Sequence, residues 1–186
     1  MDDNGSLAYG VLWDIFNNVN GQLQFAETKN AALLTLNLAV VLGIGAILAG
    51  NDVGSSEIRG WLFITATGVA GAGLVSLLSF LPHIGPTIYV EAAMPGPTNR
   101  NLVFFVDLAK TGPVELLEAV FASTGTPAVQ QNRLHESLAH QIIVNSGIAS
   151  KKFAWFRTAV VATVMCAAIP AFVLSAVWIG NGGAFK

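Results

Sequence analysis

Three stretches of this chain, 30–51, 60–90 and 158–185, contain no Asp, Glu, Lys or Arg. Each is longer than the run of about 20 apolar residues with which a helix crosses a hydrocarbon core of roughly 30 Å. A soluble helix of that length keeps a polar stripe toward water, and these keep none, which argues against buried helices of a soluble bundle. Stop signals bound the helical part of each: Gly50 and Asn51, then Pro82 with Gly85 and Pro86, then Gly180 and Gly182. The pattern predicts spans near 31–49, 61–80 and 158–180. Arg59, Trp61 and Trp178 fall at segment ends, where snorkelling cations and amphipathic rings anchor a helix at the interface. Charged residues make up 11% of the 186 residues, against about 25% in soluble proteins, and the deficit sits in these stretches.

Lys and Arg sort by side of the membrane. Lys29 precedes the first span, and Arg100, Lys110, Arg133, Lys151, Lys152 and Arg157 lie between the second and third; Arg59 and Lys186 fall on the other side. The positive-inside bias therefore places the N-terminus and the central section in the cytoplasm and the C-terminus outside, as a multi-pass arrangement. Met1-Asp2-Asp3 offers no basic n-region, so the opening is expected to be a retained cytosolic arm and not a cleaved signal peptide. The expected fold class is an all-α membrane protein with three transmembrane helices and an α-helical cytosolic section. Its parts are an amphipathic arm (1–29), a transmembrane hairpin (30–81), a cytosolic helical section (82–157), the third span (158–180) and an external tail (181–186).

Within the spans, Ala39/Gly43, Ala46/Gly50, Gly68/Ala72 and Ala167/Ala171 are small pairs four apart, a spacing that permits close helix approach in lipid. Pro170 removes a backbone donor in span three and marks either a static bend or a gate. The span cores hold no Asp, Glu, Lys, Arg or His, which argues against proton relays, ion-coupled transport and intramembrane hydrolysis.

In the central section, Pro82, Pro86, Pro95 and Pro97 read as an irregular linker, and 102–109 (LVFFVDLA) reads as a short helix or a strand, with helix preferred. Thr111-Gly112-Pro113-Val114-Glu115 is a helix start with an apolar face of Leu116, Leu117, Val120 and Phe121, ended by Gly125; a second start is expected at Thr126-Pro127. Leu134, Leu138, Ile142, Asn145, Ala149 and Phe153 keep one face in steps of three or four, so the last cytosolic helix is expected to be continuous with span three. The arm repeats the pattern at Leu12, Ile15, Phe16, Val19, Leu23 and Ala26, a face suited to packing on the long helix or to lying on the membrane. Packing is preferred because Asn and Gln, and not Lys and Arg, occupy the polar side.

Catalytic patterns are missing. The chain has no phosphate-binding glycine loop, no nucleophile elbow and no carboxylate pair with a clear partner, and His135 and His140 are five apart, so they point to different helix faces. A single cysteine, Cys166, excludes a cysteine-rich zinc site, and a net charge of −2 leaves no basic footprint for nucleic acid. The expectation is a protein that is not an enzyme and uses no metal or cofactor. The groups suited to a small anion are the helix starts at Thr111/Gly112 and Thr126, with Arg100, Lys110, Arg133, Lys151 and Lys152.

Three segments carry a resemblance: Phe25-Ala26-Glu27-Thr28-Lys29-Asn30-Ala31-Ala32-Leu33-Leu34, Phe104-Phe105-Val106-Asp107-Leu108-Ala109, and Leu138-Ala139-His140-Gln141-Ile142 through Ala149-Ser150-Lys151-Lys152-Phe153. In their order and spacing around two early spans and one late span, they resemble the Pycsar effector transmembrane family over about residues 25–161. Glu27 stands where the family usually has Asp, and Val106 where it often has a small residue. The resemblance implies an antiphage effector that answers a cyclic pyrimidine nucleotide, cUMP or cCMP, made by a partner cyclase. It further implies impairment of the lipid bilayer, as a homo-oligomer. Glu27, Lys29, Asp107 and Lys152 are the ligand or gating candidates on the matched segments, and Arg133 joins them as a cation of the cytosolic section. The alternatives are a membrane-anchored scaffold that recruits a soluble partner and a small ion channel.

Overall fold

The computed structural model describes residues 3–50, 55–81, 101–127, 129 and 131–180. Its elements are α1 (Asp3–Ala49), α2 (Ser56–Leu78), α3 (Phe105–Leu108), α4 (Pro113–Thr124) and α5 (Arg133–Gly180), and the described residues contain no strand. The all-α class with three span-capable helices therefore holds. The proline-rich linker, the tail 181–186 and Arg100 lie outside the described residues.

Arm and first span are one helix. At 1.5 Å per residue, the 47 residues of α1 and the 48 of α5 are each about 70 Å long, more than twice the hydrocarbon thickness. Each helix is divided between two compact units: Met1–Ala26 with Pro82–Phe153, and Glu27–Leu81 with Ala154–Lys186.

The first unit is held by an apolar core. Ala8, Leu12, Ile15 and Val19 of α1 recur at steps of four and three, and they meet Leu108 of α3, Leu116, Leu117, Val120 and Phe121 of α4, and Leu138, Ala139 and Ile142 of α5. The arm thus packs on the long helix, the preferred of its two sequence readings, and α4 buries the four residues its spacing nominated. Two cross-chain bonds fix the register: Asn18 Nδ2 donates to the Val103 carbonyl at 2.9 Å, and Asn145 Nδ2 donates to Asn20 Oδ1 at 2.8 Å.

The ends of α4 follow its sequence signals. Pro113 opens the helix, and Gly125 closes it in the left-handed region at φ 64°, where a side chain would be strained. Thr126, expected to start the next helix, instead completes this closure, its N–H donating to the Phe121 carbonyl at 3.0 Å. α5 begins seven residues later, at Arg133, because Asn132 is its cap: Asn132 Oδ1 accepts from the N–H groups of Leu134 (3.0 Å) and His135 (3.1 Å). His135 answers by accepting the Asn132 N–H on Nδ1 at 3.2 Å, which takes the place of the usual Glu of a capping box.

The second unit reverses the usual pattern of burial. Leu36, Leu38, Leu42, Phe63, Ile64, Val161, Ile169 and Phe172 are all at least half exposed, as suits a face toward lipid, whereas Asn30, Asn37, Ser76 and Ser79 are buried inside. α2 begins at Ser56, five residues before the expected edge of its span, so Arg59 and Trp61 lie within its first turns. Gly68 and Ala72 mark a close approach: a Cβ at Gly68 would lie 2.6 Å from Cys166 Sγ. The other small pairs, Ala39/Gly43, Ala46/Gly50 and Ala167/Ala171, are exposed. Pro170 is buried, and α5 continues through it.

Candidate functional site

In the first unit, the arm and α5 form a groove that sequence periodicity did not nominate. Tyr9, Trp13 and Phe16 follow one another at steps of four and three along α1, beside its buried stripe, and face Leu134, Ser137, Leu138 and Gln141 of α5 around a cavity of about 270 Å³. Tyr9 stacks on Trp13 with centroids 6.3 Å apart, and Trp13 meets Phe16 at 5.3 Å. Nearly half of the Trp13 surface stays open to solvent, so the groove offers an aromatic platform with two polar side chains, Ser137 and Gln141, on its opposite wall. Leu134, expected on the buried face of α5, is exposed and forms part of that wall.

His135 supports the platform from behind. It is buried, with its ring edge-on to Tyr9 at 6.0 Å and to Phe121 at 5.3 Å. Because Nδ1 accepts the Asn132 N–H, the neutral ring carries its hydrogen on Nε2, which has no hydrogen-bond partner. His140 is exposed on another face, as its spacing required. Among the described residues, no group of three or more His, Cys, Asp or Glu is placed to hold a metal ion.

The five sequence candidates do not form one cluster. Arg133 is exposed in the first turn of α5, one turn before Ser137, whose hydroxyl donates to the Arg133 carbonyl at 2.8 Å. Lys152 lies 19 positions further on, about 28 Å along the helix, so no small ligand touches both. The segments that carry Asp107 and Lys152 are neighbours instead. Phe105 of α3 stacks on Phe153 of α5 at 5.2 Å, and Phe25 meets the same ring at 6.4 Å, which seats the turn carrying Asp107 against the turn carrying Lys152. Asp107 is half-buried and Lys152 is buried, an unusual position for an ammonium group. Glu27 and Lys29 belong to the second unit, where Lys29 Nζ lies over the Phe156 ring at 5.6 Å.

Of the two expected anion sites at helix starts, Thr126 opens no helix, because its N–H donates to the Phe121 carbonyl. At α5 the Asn132 side chain takes two first-turn N–H groups, and at α4 the Gly112 N–H donates to Glu115 Oε2 at 3.4 Å.

The second unit has a polar interior that sequence reasoning also missed. Asn30 Nδ2 donates to Ser79 Oγ at 3.0 Å, and Thr163 Oγ1 donates to Asn37 Oδ1 at 3.0 Å. The available signal was Asn30 and Asn37 at a seven-residue interval, opposite Ser76 and Ser79 at three.

No curated protein and no solved structure matches the chain. The Pycsar effector protein domain matches residues 11–180, which takes in most of both units, the groove residues from Trp13 onward and the greater part of all three span-capable helices, and leaves out Tyr9. This membrane protein therefore belongs to the Pycsar effector family of antiphage defence effectors.

Proposed function

We propose that the chain is a ligand-gated effector of a bacterial inner membrane: its cytosolic unit binds a cyclic pyrimidine nucleotide, cUMP or cCMP, and its spans then impair the bilayer as a homo-oligomer, without catalysis. The observation that carries this reading is the match to the Pycsar effector domain across nearly the whole chain, sensing part and spans together. The groove supplies what a cyclic pyrimidine nucleotide needs. A flat base stacks on Trp13 and Tyr9, its polar edge meets Ser137 and Gln141, and the single negative charge meets Arg133 one turn away. α5 supplies a mechanical link, since the helix that lines the groove at Leu134 continues without interruption to Gly180. The exposed pairs Ala39/Gly43 and Ala167/Ala171 leave backbone surface for a second copy to approach in lipid.

The test is purified full-length protein in liposomes loaded with potassium and a self-quenched dye. Leakage on addition of cUMP or cCMP, and none with cAMP, is the expected result. Liposomes that stay sealed with both pyrimidine nucleotides overturn the reading, and a stable soluble partner captured under those conditions favours a membrane scaffold.

A further inference from the structure

The buried amides of the second unit are incompletely satisfied. Asn30 is 0% exposed and Asn37 1%, and each has one side-chain partner for two polar atoms, which leaves Asn30 Oδ1 and Asn37 Nδ2 unpaired. Turning either amide over only changes which atom is orphaned. Thr163 has one hydroxyl hydrogen and two acceptors, Asn37 Oδ1 at 3.0 Å and the Ala159 carbonyl at 2.9 Å, and Ser76 reaches the Ala72 carbonyl only at 3.4 Å. A hydrocarbon environment supplies no water to such groups, so they are costly where they stand. They line the interior and not the lipid face, the placement typical of polar groups that serve a hydrophilic path.

From Asn30 and Ser79 to Asn37 and Thr163 this seam extends about 10 Å along α1. Beyond it α2 and α5 come into close contact. A Cβ at Gly68 would lie 2.6 Å from Cys166 Sγ and 3.0 Å from Cys166 Cβ, the tightest approach at any described glycine. Pro170, four residues after Cys166, has no N–H to offer the Cys166 carbonyl, so α5 lacks a rung at the level of the pinch.

We infer that the seam of Asn30, Asn37, Ser76, Ser79 and Thr163 lines the aqueous path for water and small ions through the membrane, and that the Gly68–Cys166 contact closes it in the resting state. The inference rests on the membrane-impairing function proposed above. Activation parts the helices at the pinch, and water satisfies the orphaned amides.

Cys166 is the chain's single cysteine, so the wild-type protein reports on its own pinch. In the same liposomes, a charged methanethiosulfonate that does not cross lipid is expected to leave Cys166 unmodified at rest and to label it at least tenfold faster with the activating nucleotide. Asn37→Cys in a Cys166→Ala background is expected to behave likewise, whereas Leu38→Cys in that background, on the lipid face, stays unmodified. Asn37→Leu is expected to lower potassium flux at least tenfold while nucleotide binding is retained. Gly68→Ala is expected to leak without nucleotide and to be resealed by Cys166→Gly. Leakage with nucleotide but no accelerated labelling at Cys166 or Asn37→Cys overturns this inference and leaves the proposed function standing. An inserted Gly68→Ala protein that stays sealed overturns the closure. Wild-type liposomes that never leak overturn both.

Discussion

At the scale of residues, the proposed nucleotide binding falls to side chains that contribute little to folding. Trp13 is 46% exposed and lies outside the apolar core, so its loss should spare the fold. Stacking of a base on an aromatic ring is worth about 1–3 kcal/mol, so Trp13→Ala is expected to weaken cUMP or cCMP binding about 5- to 150-fold, measured by isothermal titration, with an unchanged circular dichroism spectrum. Lys152 is the opposite case, a buried cation whose turn is clamped by Phe105 and Phe153 opposite the turn of Asp107. Lys152→Ala and Asp107→Ala are each expected to abolish nucleotide-dependent toxicity in cells while the protein still inserts, checked by growth after cyclase induction and by membrane fractionation. The acidic and basic candidates were legible as parts of short segments. Trp13 and Asn37 were not, because one ring beside an apolar stripe and one amide within an apolar run acquire meaning only from what faces them.

At the scale of elements, α5 runs as one continuous helix from the groove at Leu134 to Gly180. Its start is set by Asn132, and substitution of such a cap costs about 1 kcal/mol, so Asn132→Ala is expected to lower the melting temperature by a few degrees and to release His135 Nδ1. Three glycines inserted between Phe153 and Ala154 break the rod. Nucleotide affinity is expected to survive while dye leakage is lost, and leakage that persists would show that the helix transmits nothing. Sequence periodicity located the apolar faces of α4 and of the arm because burial on one side imposes its own spacing. It misplaced the start of α5, since Thr126-Pro127 and Asn132 both resemble starts and only the Thr126 bond to Phe121 assigns the former to the end of α4.

At the scale of the whole molecule, the charge distribution predicts orientation. An N-terminal fluorescent protein is expected to fluoresce in the cytoplasm and a C-terminal alkaline phosphatase to be active outside, with seven Lys and Arg residues assigned to the inner side and two to the outer. An active phosphatase at the N-terminus would reverse the assignment and leave the groove facing away from any cytosolic nucleotide.

The sequence by itself determined the class: three uncharged runs too long and too uniformly apolar to be stable in water point to a membrane, and spanning helices follow because such long runs without alternation satisfy their backbone groups within their own segment. Tertiary structure decided the inner surfaces. Whether an Asn in a span faces lipid or a neighbouring helix, and whether Gly68 is a spacer or a contact, depends on helix rotation, which local pattern does not encode when every face is apolar. In the first unit, the aromatic platform exists only because the arm lies along α5, a long-range pairing between positions far apart in the chain.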